Sequence, residues 1–201
     1  MMIKICGITN LDDAIAAVSA GASALGFNFY PRSTRWIGIR DATDLVARLP
    51  AGIWKVGVFV NEPPERVAEM VKRIGLDVAQ LHGEESPQQY PAGVRVWKAA
   101  RVGEDFSLSA WTDCPAEALL LDTASSEAYG GTGDVFDWSV AASSTRKIIV
   151  AGGLDADNVR QAIAQARPWG VDACSRIEKS PGRKDHDRMK EFIKAAKGAS
   201  A

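Results

Sequence analysis

The chain has 201 residues, 46% hydrophobic and 24% charged, a composition typical of one globular domain with a sizeable core. Its 24 Lys plus Arg residues nearly balance 25 Asp plus Glu residues, and the net charge of -1 argues against a nucleic-acid partner, which would require a basic face. No apolar run approaches the roughly 18 to 20 residues of a membrane span, and no signal peptide is recognisable, so we expect neither a membrane partner nor secretion.

The cysteines and histidines point to an ordinary reducing compartment. Cys6, Cys114 and Cys174 are odd in number and widely spaced, which argues against a disulfide framework and favours a cytoplasmic location. The two histidines do not have metal-ligand spacing, so we expect no metal site.

Short apolar runs alternate with segments of helical period along the whole chain. The predicted strands are 2–6, 24–29, 53–60, 78–82, 94–99, 118–122, 147–152 and 171–174. The predicted helices are 11–20, 41–48, 63–74, 86–90, 105–110, 136–142, 155–166 and 184–197. Asn10 and Asp155 are expected to cap helix starts, and Gly21 and Gly75 to end helices.

Eight strand–helix units predict an all-parallel sheet that closes on itself, a single-domain (β/α)8 TIM barrel over residues 1–201. The tail, about 198–201, is expected to fray. A doubly wound open sheet is the alternative, but it usually has a Gly-rich turn after its first strand. Here that strand runs into Cys6-Gly7-Ile8-Thr9.

Active sites of such barrels lie at the carboxyl ends of the strands, so polar residues at those ends carry the functional prediction. The period of two places Lys4 with Cys6 on one inward face, Gln80 with His82 on another, and Asp122 at the end of strand six. Polar side chains in a barrel interior cost stability unless they are paired or functional.

Cys6 and Asp122 are the candidate base and acid. A cysteine in an apolar strand is often only a small buried hydrophobe, and an Asp after a strand often only caps a loop. Lys4, however, shares a face with Cys6, and a nearby ammonium group favours the thiolate. A base and an acid on opposite walls of one barrel are what a proton-transferring isomerisation requires.

Strands seven and eight end in Gly152-Gly153 and Ser175-Arg176. In barrels of this kind these two loops commonly hold a phosphate on backbone N–H groups, so we expect a phosphorylated small molecule as partner. Glycine pairs also occur in plain turns.

Two further loops carry candidate residues. After strand two, Arg32 and Arg35 either form a solvated basic loop or supply one Arg that clamps a carboxylate. After strand six, the glycine-rich segment 129–133 is a candidate lid, phosphate contact or linker.

Eight segments together resemble the phosphoribosylanthranilate isomerase family of tryptophan biosynthesis, in order and at compatible spacing over nearly the whole chain. They are KICGIT (4–9), GFNFYPRSTRWI (26–37), KVGVFVN (55–61), QLHGEE (80–85), LLLD (119–122), GGTGDVFDW (130–138), VAGGLDADNV (150–159) and SRIEKSPGRKD (175–185).

The resemblance implies an Amadori rearrangement without a cofactor. It implies that Asp122 protonates the ribose ring oxygen as general acid and that Cys6 removes the C2′ proton as general base. It further implies that Arg35 binds the anthranilate carboxylate and that the backbone around Gly152, Gly153, Ser175 and Arg176 holds the phosphate. Lys4, Gln80 and His82 are expected to bind substrate.

Two positions depart from the family pattern. Thr34 stands where the family has Pro, so the loop lacks a fixed φ. Arg176 stands where the family has Gly, and an Arg would be strained there if φ were positive. Its side chain could instead contact phosphate or point to solvent.

Three alternatives remain at this point. A histidine-pathway barrel isomerase would have aspartates at strands one and six, and Cys6 argues against it. A phosphate- or sugar-binding barrel without catalysis is the second. A Schiff-base lyase using Lys4, Lys55 or Lys98 is the third. The oligomeric state is left open.

Overall fold

In the computed structural model, which describes residues 1–123 and 135–199, eight parallel strands close into a barrel in the order β1 to β8, as predicted. Closure is made by β8 against β1, with a register that runs from Met2 opposite Gly170 to Ile5 opposite Ala173. The strands are β1 (Met2–Ile5), β2 (Ala24–Asn28), β3 (Trp54–Phe59), β4 (Val78–Leu81), β5 (Val96–Val102), β6 (Ala118–Thr123), β7 (Ile148–Val150) and β8 (Gly170–Ala173).

Five α-helices pack around the described part of the barrel: α1 (Leu11–Ala20), α2 (Ile39–Val46), α3 (Pro64–Ile74), α4 (Val159–Ala166) and α5 (His186–Ala199). Asn10 caps α1 by accepting a hydrogen bond from the N–H of Asp13, as expected. Gly21 and Gly75 end α1 and α3 in the left-handed conformation, also as expected. Residues 198 and 199, predicted to fray, belong to α5.

Three predicted helices are wrong. In place of helices 86–90, 105–110 and 136–142 the structure has only 3-10 turns, at Pro87–Gln89, Leu108–Trp111 and Trp138–Ala141. These segments are far shorter than the roughly 12 residues at which helix nucleation is recovered by propagation, so a single tight turn forms instead. Asp155 was also expected to cap α4, but the helix begins later, at Val159, after a turn in which the Asp155 carboxylate accepts from the N–H groups of Asp157 and Asn158.

The barrel separates two apolar layers, as the period of two in each strand requires. Ile3 and Ile5 of β1 face outward and join the large core shared with the helices, while Lys4 between them is buried inside the barrel. On β6, Leu120 packs in the barrel interior whereas Leu119 and Leu121 pack against the outer layer.

Three tryptophans seal the amino-terminal end of the barrel. Trp97 stacks on Trp54 with ring centroids 5.7 Å apart and meets Trp169 edge-on at the same distance. The Arg95 guanidinium lies over Trp54, and the Lys147 ammonium lies over Trp169. This floor confines access to the barrel interior to the carboxyl-terminal end.

A short antiparallel hairpin that the sequence did not predict follows β8. It consists of β9 (Glu178–Ser180) and β10 (Arg183–Lys184), preceded by a 3-10 turn at Ser175–Ile177. The hairpin carries Glu178 and Lys184 back toward the mouth of the barrel. Among the described residues, no helix has the length and apolar character to cross a membrane.

Candidate active site

One pocket lies at the carboxyl-terminal mouth of the barrel, and nine of the ten predicted site residues line it. They are Cys6, Arg35, Gln80, His82, Asp122, Gly152, Gly153, Ser175 and Arg176. Its other lining residues are Asn28, Ser33, Val58, Ala151, Leu154, Asp172 and Cys174. Residues from seven of the eight strands, or from the loops that follow them, thus converge on one site, as expected for a barrel of this type.

Lys4 does not line the pocket. It is fully buried below Cys6, and its Nζ donates to Oδ2 of Asp172 at 2.8 Å. Although burial alone would lower the pKa of Lys4, the charge of Asp172 raises it above its ordinary value. Burial raises the pKa of Asp172 to about 7, against the opposing effect of Lys4. Lys4 therefore acts on the pocket only indirectly, through Asp172, whose carboxylate it binds.

Lys55 and Lys98, the other two lysines considered for a Schiff-base lyase, also form their contacts outside the pocket. Lys98 is buried and donates to the carbonyl of Gly83 and to the Glu85 carboxylate. Lys55 pairs with Asp77 at 3.1 Å. Within the described residues no lysine lines the pocket, so the geometry gives no support to a Schiff-base mechanism.

Cys6 lies directly beyond β1, and its N–H donates to the Ala173 carbonyl at 2.9 Å, which places it beside Cys174, directly beyond β8. Interaction with the neighbouring Cys174 thiol and burial raise the pKa of the Cys6 thiol well above its usual range, whereas the Lys4 ammonium acts to lower it. The expectation that Lys4 favours the Cys6 thiolate has the right sign, but Cys174 and burial outweigh it.

Asp122 ends a chain of side chains that begins at Gln80. Nε2 of Gln80 lies 3.1 Å from Nδ1 of His82, and Nε2 of His82 lies 3.3 Å from Oδ2 of Asp122. The second pair is close but not aligned for a hydrogen bond. The other carboxylate oxygen of Asp122 accepts from the N–H of Thr123 at 2.9 Å. All three side chains are buried, so Asp122 is held in one orientation toward the pocket.

Three buried polar atoms around the pocket have no hydrogen-bond partner within the described part of the chain: Oε1 of Gln80, Nε2 of His82 and Oδ1 of Asp172. Unpartnered buried polar groups are costly, and they commonly mark places where a ligand or water completes the hydrogen bonding. Together they offer two acceptors and a histidine nitrogen at the base of the pocket.

The glycine pair after β7 is required by the backbone and by space. Gly152 and Gly153 have φ of 77° and 60°, in the left-handed region that favours glycine. A Cβ on Gly152 would lie 2.8 Å from the N of Thr123 and 2.9 Å from Oδ1 of Asp122. Within residues 1–123 and 135–199, the N–H groups of both glycines donate to no acceptor.

Arg176 is not strained, because the only described non-glycine residues with positive φ are Asn61 and Arg167. It lies in the 3-10 turn Ser175–Ile177, with an exposed side chain that pairs with Oδ2 of Asp155 at 2.8 Å. Its guanidinium thus spans the two loops that follow β7 and β8.

Arg35 extends from the loop after β2 to the hairpin after β8. Its Nε and Nη2 donate to the Glu178 carboxylate, with Nη2 at 2.8 Å. The same carboxylate accepts from Nζ of Lys184, also at 2.8 Å. Arg35 therefore lines the pocket with a guanidinium held from behind by a buried anion.

Three titratable residues at this site, Asp172, Cys174 and Glu178, were not predicted from the sequence. The period of two in strand eight places Asp172 and Cys174 on the inward face, so the same argument that selected Lys4 and Cys6 could have selected them. Glu178 had no such signal, because it reaches the site only through the hairpin. The glycine-rich segment 129–133 lies outside the described residues. Within those residues, no group of three or more His, Cys, Asp or Glu side chains could hold a metal ion.

Comparisons with known proteins identify the family of this chain. A family model described as N-(5'phosphoribosyl)anthranilate (PRA) isomerase matches residues 3–195. An N-(5'-phosphoribosyl)anthranilate isomerase from Solibacter usitatus is 54% identical over 199 residues, covering 99% of this chain and 98% of the relative. One from Pelobacter propionicus is 48% identical and covers 97% and 95%.

Solved structures give the same result. The phosphoribosyl anthranilate isomerase of Thermotoga maritima superposes with a TM-score of 0.90 at 41% identity, covering 98% of this chain and 99% of that one. A second structure, with a TM-score of 0.87, 40% identity and the same coverage, is a complex with reduced 1-(o-carboxyphenylamino)-1-deoxyribulose 5-phosphate.

Proposed function

The chain belongs to the N-(5'-phosphoribosyl)anthranilate isomerase family and is an isomerase of tryptophan biosynthesis, and we propose that Asp122 and Cys6 are its general acid and general base. The reaction is the Amadori rearrangement of N-(5'-phosphoribosyl)anthranilate to 1-(2-carboxyphenylamino)-1-deoxyribulose 5-phosphate. The observation that carries the assignment is that Cys6, beyond β1, and Asp122, on β6, line one pocket from opposite parts of the barrel.

In the first step Asp122 protonates the ribose ring oxygen, and the ring opens to a Schiff base between C1′ and the aniline nitrogen. In the second step Cys6 removes the proton from C2′. The electrons of that C–H bond form a C1′–C2′ double bond, and the nitrogen becomes neutral. Tautomerisation of the resulting enol gives the ketone. In the first step the nitrogen lone pair forms the C=N bond as the C1′–oxygen bond breaks, and neither step needs an external oxidant or reductant, so the proposal needs no cofactor.

The ribose hydroxyls would lie against the three unpartnered atoms of Gln80, His82 and Asp172. A carboxylate or amide oxygen accepts from a hydroxyl, and a histidine nitrogen can donate or accept. This extends the predicted roles of Gln80 and His82 and adds Asp172. Lys4 supports the same subsite indirectly by holding the other oxygen of Asp172.

The phosphate would bind between the loops after β7 and β8. The N–H groups of Gly152 and Gly153, together with Ser175, are suited to an anion because backbone donors converge there. Arg176 stands at the edge of this site and adds positive charge, while Asp155 holds its guanidinium in place.

Arg35 would bind the carboxylate of the anthranilate group. Its Nε and Nη2 already contact Glu178, so Nη1 is the nitrogen best placed for a second carboxylate. We also propose a cytoplasmic location, because all three cysteines are free thiols and a reducing compartment preserves them.

The experiment is to incubate the purified protein with freshly prepared N-(5'-phosphoribosyl)anthranilate and follow its fluorescence. Enzyme-dependent conversion at a rate proportional to protein concentration is the expected result. A rate equal to the chemical background, together with retained binding of the reduced product analogue, would instead support a binding barrel without catalysis.

A further inference from the structure

A buried ion pair lies behind the loop that follows β4, on the outer side of the barrel. Trp97 and Ala99 of β5 pack in the barrel interior, so the side chain of Lys98 between them faces the layer outside the barrel. Its Nζ donates to Oε2 of Glu85 at 3.0 Å, and the two residues are only 3% and 5% exposed. Neither residue lines the pocket, and the mechanism described above uses neither of them.

Lys98 holds the loop backbone on both sides of His82. Its Nζ donates to the Gly83 carbonyl at 2.6 Å and to the Leu81 carbonyl at 3.3 Å. An ammonium group has three donors, and these two bonds together with the Glu85 bond match all three. The residues before and after His82 are thus bound to one buried cation.

Glu85 holds the same turn through its N–H groups. Its carboxylate accepts from the N–H of Gly83 at 3.0 Å and from the N–H of Asn61, in the loop after β3, at 2.7 Å. Oδ1 of Asn61 in turn accepts from the N–H of Glu84 at 2.7 Å. A Cβ on Gly83 would lie 2.8 Å from the N of Asn61, so the two loops are in close contact. The carboxylate therefore fastens the loop after β4 to its neighbour.

His82 is the pocket residue that this backbone carries. Its own N–H donates to the Phe59 carbonyl at 2.8 Å, so the backbone of residues 81–83 is bound from β3 as well as from Lys98 and Glu85. Nε2 of its imidazole lies 3.3 Å from Oδ2 of Asp122 without being aligned for a hydrogen bond. The position of the ring beside Asp122 therefore depends on the backbone that bears it.

We propose that Lys98 is a positioning residue: with Glu85 as its counterion, it fixes the loop around His82 so that the imidazole keeps the Asp122 carboxylate in its reactive orientation. No proton moves in this role. A buried ion pair contributes little net stability compared with apolar side chains of similar volume, so stability alone does not account for the pair. This inference rests on the proposed role of Asp122 as the general acid.

The first test compares kcat and the denaturation midpoint in Lys98→Met and in the double variant Lys98→Met, Glu85→Gln. Lys98→Met leaves the Glu85 charge buried without a partner, so the midpoint falls. The double variant removes that charge, and Gln still offers an acceptor to the N–H groups of Gly83 and Asn61, so much of the stability returns. We expect kcat to be lower by about tenfold or more in both variants, because the two loop carbonyls have lost their donor.

Lys55→Met is the matched control, since Lys55 is also a strand lysine paired with a carboxylate, that of Asp77, and lies outside the pocket. Its kcat should equal that of the wild type. Recovery of wild-type kcat together with stability in the double variant would overturn the inference, because the pair would then serve stability alone. If Lys98→Met does not fold, the double variant decides the question.

The second test needs no turnover. The chain has two histidines, His82 and His186, so their imidazole ¹H–¹⁵N signals can be assigned by comparison with His82→Gln. In the double variant the His82 signals are expected to shift or broaden while those of His186 stay in place, and Lys55→Met should change neither. His82 signals identical to those of the wild type would contradict the inference. Failure of the proposed acid is seen separately, as full turnover by Asp122→Asn.

Discussion

At the scale of single residues, the substrate-binding assignment depends most on Arg35, whose guanidinium lies between the pocket and the buried Glu178 carboxylate. Arg35→Met keeps most of the side-chain stem and removes the charge. A hydrogen bond to a charged group is worth roughly 1.5–3 kcal/mol, so we expect KM to rise about ten- to a hundredfold with a smaller change in kcat.

The matched control for this prediction is Arg32→Met, because Arg32 belongs to the same loop but is exposed and does not line the pocket. Steady-state kinetics of both variants provide the measurement. Equal effects of the two substitutions would mean that the loop contributes only its general positive charge.

Gly152 has a backbone conformation that favours glycine, and it lies next to Asp122, the proposed general acid. Its φ of 77° disfavours any Cβ, and an added Cβ would lie 2.9 Å from Oδ1 of Asp122. Gly152→Ala is therefore expected to cost about 1–2 kcal/mol of stability and, in addition, to lower kcat at least tenfold by displacing Asp122.

Gly93→Ala separates these two effects. Gly93 has a similar φ of 68°, and a Cβ there would have no neighbour within 4 Å. Gly93→Ala therefore carries only the cost of a Cβ at positive φ, and we expect a loss of unfolding free energy no larger than in Gly152→Ala, with unchanged kcat. A Gly152→Ala enzyme with wild-type kcat would show that the Asp122 carboxylate does not depend on this backbone.

At the scale of elements, the hairpin β9–β10 fastens the end of β8 to the loop after β2. The fully buried Lys184 pairs with Glu178, which in turn holds Arg35. Removing one partner of a buried ion pair costs roughly 3–5 kcal/mol, because the other charge is left without compensation. Lys184→Met should therefore lower the free energy of unfolding by up to about that amount. The loss is smaller to the extent that Arg35, which also pairs with Glu178, compensates the Glu178 charge.

Lys179→Met serves as the control, since Lys179 belongs to the same hairpin but is exposed. Chemical denaturation followed by tryptophan fluorescence measures both variants. A loss in Lys184→Met no larger than in Lys179→Met would show that the buried pair adds nothing to the attachment of the hairpin.

The strands were predictable from sequence because each is a short apolar run whose inward face is set by a period of two. That same period selected Cys6, Gln80, His82 and Asp122 without knowledge of the fold. The three helices predicted between β4 and β7 do not form, because segments such as 86–90 are too short to propagate a helix. The hairpin was missed because β10 has only two residues and no apolar pattern.

The contacts between β1 and β8, the first and last strands of the barrel, could not be predicted from the sequence. Cys6 and Cys174, like Lys4 and Asp172, are separated by 168 residues, and they meet only because β8 pairs with β1. A linear pattern indicates which way a side chain faces but not which strand lies beside it. The position of Cys6 beside Cys174 therefore depends on closure of the barrel.

At the scale of the whole molecule, stability and chemistry occupy opposite ends of the barrel. The floor of Trp54, Trp97 and Trp169 lies at the amino-terminal end, and the pocket lies at the other. Trp97→Ala should cost about 3–5 kcal/mol of unfolding free energy, as large core truncations do. The kcat of the molecules that remain folded should stay unchanged.

Trp97→Phe is the matched variant. It keeps an aromatic ring and removes an indole N–H that has no partner within the described part of the chain, so we expect a loss below about 1.5 kcal/mol. A large drop in kcat for either variant at full occupancy of the folded state would mean that the floor also shapes the pocket.

The central claim is that Asp122 and Cys6 carry out the two proton transfers. It is tested most directly by the turnover of N-(5'-phosphoribosyl)anthranilate by Cys6→Ala and Asp122→Asn, with Cys114→Ala as the control thiol and binding of the reduced product analogue measured alongside. We predict that kcat falls by a factor of about 10² to 10⁴ in Cys6→Ala and in Asp122→Asn, and that both variants bind the reduced product analogue within about threefold of the wild-type affinity. The kcat of Cys114→Ala should be unchanged. Near wild-type turnover by either Cys6→Ala or Asp122→Asn would contradict the assignment.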